Sequence, residues 1–129
     1  MRTRVVIGAV LFLAVLAVSA LGAVGRPATV VRFTRPIIVA GISLLGPVVF
    51  EHDDARMARG EPCTTVYHYD AKRNARGDVL VQFMCVPKAR PVATKFEAVI
   101  QFSSPTGPDR LLEYQMEGEA EGHGVPYSY

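Results

Sequence analysis

The sequence predicts an all-β domain: a small antiparallel β-sandwich or barrel-like fold with one short helical turn, behind an N-terminal signal helix. Three observations predict it. Runs of β-branched residues are cut to strand length by Gly and Pro. Cys63 and Cys85, the only two cysteines, stand at the far ends of a hairpin pattern. Past the leader, only Asp53 to Gly60 reads as helix.

The leader comes first. Met1 to Arg4 is short and basic, Val5 to Val18 is apolar and uncharged, and Val18-Ser19-Ala20 offers small residues for cleavage. That is the layout of a secretory signal peptide over residues 1–20. An uncleaved anchor reaching about residue 24 is the rival reading. Residues 21–129 then form a single exported domain, periplasmic or extracellular. The chain carries 14 Lys+Arg and 12 Asp+Glu. Loss of Arg2 and Arg4 with the leader brings the two signs to parity, so the basicity belongs to targeting and gives no support to nucleic-acid binding. A membrane partner is expected only if the leader stays in place.

Val30, Val31, Ile37, Ile38, Val39, Ile42, Val48 and Val49 predict buried strands at about 29–34, 37–44 and 47–52, with turns at the Gly and Pro between them. Asp53 is placed to cap a short helix that Arg56, Arg59 and Gly60 close. The next strand runs from Cys63 to Tyr69 and its partner from Val79 to Cys85. With the loop centred on Asn74, Cys63 faces Cys85, Thr65 faces Phe83, Tyr67 faces Val81 and Tyr69 faces Val79. Two more strands are expected, at 94–102 and 111–117. The first presents Phe96, Ala98, Ile100 and Phe102 on one face; the second presents Leu112, Tyr114 and Met116. The turn between them starts at Ser103, and the tail from Gly118 to Tyr129 reads as irregular.

In an exported chain, two cysteines imply one structural disulfide, Cys63–Cys85. No Cys-x-x-Cys redox pair is present. His52 and His123 both sit among carboxylates, and together they offer a mixed nitrogen and oxygen metal site, with Met57 and Met84 as soft additions. His52, Asp53 and His123 are the binding candidates; the simpler reading makes the histidines partly exposed residues hydrogen-bonded to nearby carboxylates. His68 lies on the face opposite the cysteines. No metal motif is matched, so no residue is assigned as a metal ligand and no cofactor is specified. No residue is assigned as catalytic either: there is no nucleophile elbow and no phosphate loop. Asp53 and Asp54 read as a helix cap rather than an acid–base pair, and Arg76-Gly-Asp78 reads as turn chemistry.

The segments Phe50-Glu-His-Asp53, Arg56-Met-Ala-Arg-Gly-Glu-Pro-Cys63 and Glu121-Gly-His-Gly-Val-Pro126 resemble a group of small secreted bacterial proteins, over about residues 45 to 126. Phe33-Thr-Arg-Pro36 through Phe50 also looks like the leading strands of other small exported β-domains. The resemblance implies export and a β fold, and brings no catalytic residues. Two functions are therefore expected: a non-catalytic exported binding or envelope-associated module, or an exported metal- or haem-binding protein using His52 and His123. The second demands that the two imidazoles come within reach of one ion.

Overall fold

The computed structural model describes residues 4–8, 14–15, 24–102, 105 and 108–129, the first two segments as backbone only. The chain is all-β with one short helix. Its strands are β1 (Arg4–Gly8), β2 (Ala14–Val15), β3 (Ala28–Val39), β4 (Ile42–His52), β5 (Thr64–Asp70), β6 (Ala75–Phe83), β7 (Val86–Ala89), β8 (Glu97–Phe102), β9 (Asp109–Gln115) and β10 (Glu121–Gly124), and α1 spans Asp54–Ala58. They form one sheet in the order β1-β8-β9-β3-β4-β5-β6, and β10 joins β9 to β7. Since β7 continues the chain from β6, the sheet curls back on itself and encloses a core, as the barrel-like alternative expects. The pairing is antiparallel except at Ile37–Asp109 and Ile38–Arg110, where β3 and β9 run parallel.

The interior is filled by Val31, Phe33, Val48, Phe50, Val66, Val81, Phe83, Phe96, Ile100, Leu111, Tyr114 and Met116. Phe50 is its hub, with ring centroids 5.2 Å from Tyr114 and 5.5 Å from Phe96. A second cluster on the other side of the sheet joins Ala28, Val30 and Val49 to Tyr67 and Tyr69.

Several expectations are corrected. The strand expected at 29–34 runs on through Ile37 to Val39 as β3, with a register shift between Phe33 and Ile37; the turn falls at Ala40 and Gly41, both at positive φ, inside the strand expected at 37–44, whose residues 42–44 open β4. Consecutive positive φ values are what a two-residue hairpin turn needs to match strand twist. Gly46 does not end a strand: at φ +82 it stands opposite Phe33 within β4. The β5–β6 register is also off the expected one, with Thr64 facing Phe83, Val66 facing Val81 and Tyr69 facing Arg76. Asn74 at φ +48 closes a tighter turn than the nine-residue loop expected, and two shifts in the ladder accumulate the difference. Val66 and Phe83 thus point to the core, while Tyr67 faces the second cluster. In β9 a shift beside Val99 sends Leu111, rather than Leu112, into the core. The tail is not irregular throughout: Glu121–Gly124 pairs with β7, and Gly122–Gly124 with β9 as well, while residues 118–120 and 125–129 form no helix or strand.

The signal-helix expectation is not met where the leader is described. Arg4–Gly8 pairs with β8 and Ala14–Val15 with β3. β-branched Val5, Val6 and Ile7 suit an open sheet edge better than a helix. The cleavage positions Val18 to Ala20, and Ser103 at the start of the β8–β9 turn, lie outside the described residues. Among the described residues no helix is long and apolar enough to cross a membrane.

Candidate metal centre

Two rungs of the sheet build one end of the core. On one side His52 of β4 faces Thr64 of β5, which faces Phe83 of β6. On the other, Tyr114 of β9 faces His123 of β10, which faces Pro87 of β7. The rungs meet across the interior, where the Thr64 hydroxyl is hydrogen-bonded to the Tyr114 hydroxyl. Beside that contact, the His52 and His123 rings stack with centroids 3.9 Å apart and planes 22° from parallel. Both histidines are 0% exposed, which overturns the partly exposed reading.

α1 fixes His52. Asp53 caps the helix by accepting from the Arg56 amide. That hydrogen bond, with Arg26 nearby, holds the Asp53 carboxyl below its ordinary range. Asp53 is therefore committed to the cap and stands outside the cluster. Asp54, which sequence reasoning did not select, takes the neighbouring role: its Oδ1 lies 2.9 Å from His52 Nδ1. The carboxylate can only accept, so Nδ1 carries the proton and the Nε2 lone pair faces inward. Nε2 lies 3.6 Å from Cys85 Sγ, and Met57 Sδ lies 4.0 Å from the same sulfur.

Cys63 and Cys85 form the expected disulfide, with Cα atoms 6.2 Å apart. They flank the β5–β6 ladder rather than sitting inside it, Cys85 at the corner where the chain passes from β6 to β7. That placement lets the bond form despite the changed register. The Cys85 amide donates to Cys63 Sγ at 3.1 Å.

His123 is held differently. Among the described residues neither of its ring nitrogens has a hydrogen-bond partner, and Glu121 Oε1 stays 3.7 Å from Nδ1. Burial, then the neighbouring His52, lowers its pKa to about 4. Burial also lowers that of His52, against the pull of Asp54. Both rings are thus neutral at pH 7, the form in which imidazole binds metals. Half-buried Glu119, with one carboxylate oxygen unpartnered among the described residues, has its pKa raised by burial and by the charges of Asp54 and Glu121. One ligand atom from each of His52, His123 and Cys85 can be chosen so that all three lie within 4.8 Å of one another.

The remaining candidates fall elsewhere. His68 and Met84 are exposed. The Arg-Gly-Asp tripeptide is not displayed as a loop: it lies in β6, where Arg76 reaches Glu51 at 2.6 Å. The chain matches no family model, no curated protein and no solved structure.

Proposed function

We propose that this chain is an exported, non-catalytic β-domain that binds one late transition-metal ion between His52 and His123. The observation carrying the reading is the buried, neutral imidazole pair in which both His123 nitrogens are unpartnered among the described residues. A buried polar group without a partner costs about 1–3 kcal/mol, and an ion taking a lone pair from each ring repays that cost. The Asp54 carboxylate behind His52 Nδ1 is the outer support that metal-bound imidazoles use to fix tautomer and raise basicity. Met57 adds a thioether 4.0 Å from Cys85 Sγ, which borders His52, and imidazole with soft sulfur favours copper or zinc over magnesium or calcium. Tetrahedral ligand atoms stand about 3.5 Å apart, against at most 4.8 Å here, and the two rings tilt out of face contact to aim both in-plane lone pairs at one ion. Rings in face contact leave no slot for a macrocycle, which favours an ion over haem.

The broader expectation of an exported binding module is thereby narrowed to an inorganic ligand. Calorimetric titration of the purified chain with Cu(II) and with Zn(II) tests it. One equivalent of at least one ion should bind, and His52→Gln and His123→Gln should each weaken binding at least tenfold while retaining the β-sheet circular dichroism. Absence of stoichiometric binding, or binding by both variants as tight as that of wild type, overturns it.

A further inference from the structure

We infer that the Cys63–Cys85 disulfide is a redox gate on this centre: reduction frees the Cys85 thiolate to join His52 and His123 as a third metal ligand. The inference rests on the metal-binding reading above and adds its regulation. Cys85 Sγ lies 3.6 Å from the inward nitrogen of His52 and 4.0 Å from the Met57 thioether. It is the third member of the trio. While the disulfide is intact, both bonding positions of that sulfur are taken and it has no thiolate charge to offer.

The two cysteines are not equivalent. Cys63 is 2% exposed. Its sulfur stands 3.8 Å from the Phe83 carbonyl oxygen, 3.7 Å from Thr64 Oγ1 and 3.1 Å from the Cys85 amide nitrogen. A thiol formed there has an acceptor for its proton. Cys85 is only partly buried and borders the imidazoles. The balance follows. A dithiol reductant supplies two electrons and two protons and leaves as its own disulfide, and the S–S bond becomes two thiols. Cys63 keeps its proton and donates it to the Phe83 carbonyl. Cys85 releases its proton to solvent when the ion binds. One thiolate with two neutral imidazoles, and Met57 alongside, is a donor set suited to copper or zinc.

Co(II) titration tests the gate, since thiolate ligation gives cobalt an intense near-ultraviolet charge-transfer band. The full chain is titrated oxidised, and again after reduction with a dithiol removed under anaerobic conditions. The reduced protein should bind at least tenfold more tightly and show the band; the oxidised protein should lack it. Each tenfold preference should raise the disulfide midpoint potential by about 30 mV when metal is present. Cys63→Ser, which leaves Cys85 permanently free, should show the band without reductant, and Cys85→Ser should never show it. Should Cys63→Ser fail to fold, reduced wild-type chain carries the decision alone. Equal affinity in both redox states without the band overturns the gate and leaves the imidazole site standing. No binding in either state, and none by Cu(II) or Zn(II), overturns the metal-binding reading itself.

Discussion

His123 is the residue on which the site turns. Its folded pKa near 4 lies below the free imidazole value of 6.5 because burial disfavours the charged ring. In metal-free protein, the unfolded chain therefore takes up this proton first as pH falls. Stability from neutral His123 is complete above about pH 6.5 and is lost progressively down to about pH 4, by at most about 3 kcal/mol. Glu119 acts with the opposite sign, since its raised carboxyl pKa favours the fold at low pH. Denaturant midpoints of wild type and His123→Gln, compared from pH 7 to pH 4, isolate the histidine. The gap between them should change across this window, and a constant gap contradicts the assignment. Sequence pattern alone singled out both histidines. It chose Asp53 as their companion where Asp54 is the contact, although capping already commits the Asp53 carboxylate to the Arg56 amide and leaves Asp54 to face the His52 ring.

At the scale of elements, β10 brings His123 to His52, and its glycines are what the sequence reading mistook for irregular structure. Gly122 has a packing reason. A Cβ there would meet the Glu113 carboxylate at 2.5 Å and its Cδ at 3.0 Å. Glu113 is a buried carboxylate that Arg90 grips at 2.8 and 2.7 Å, a contact that holds its pKa down. Gly122→Ala should therefore cost about 1–3 kcal/mol, as overpacking does. It should also weaken metal binding by displacing β10, although residue 122 is no ligand. A variant with unchanged thermal midpoint and affinity contradicts this packing account. The helical turn, by contrast, was fully legible, since Asp53, Arg56, Arg59 and Gly60 act locally and each occupies its expected position. The ladder registers were not legible, because the shifts beside Phe33, Tyr67 and Val99 are set by curvature of the whole sheet.

At the scale of the molecule, alternation of apolar residues revealed the class of fold and most of the core, from Val31 to Met116. It did not reveal closure, which depends on the chain turning at Met84 and Cys85 from β6, paired with β5, into β7, paired with β10. The disulfide spans that corner with a sequence separation of 22. By the chain-entropy estimate the cross-link contributes about 3 kcal/mol. A Cys63→Ser/Cys85→Ser double variant should lose about that much in urea denaturation at unchanged pH, and undiminished stability contradicts a cross-linking role.

X-ray absorption at the metal edge of copper- or zinc-loaded protein reaches the central claim most directly. The account predicts multiple-scattering features of two imidazoles in the oxidised chain, reduced to one in His123→Gln. A first shell of oxygen alone, or a spectrum unchanged by His123→Gln, contradicts it.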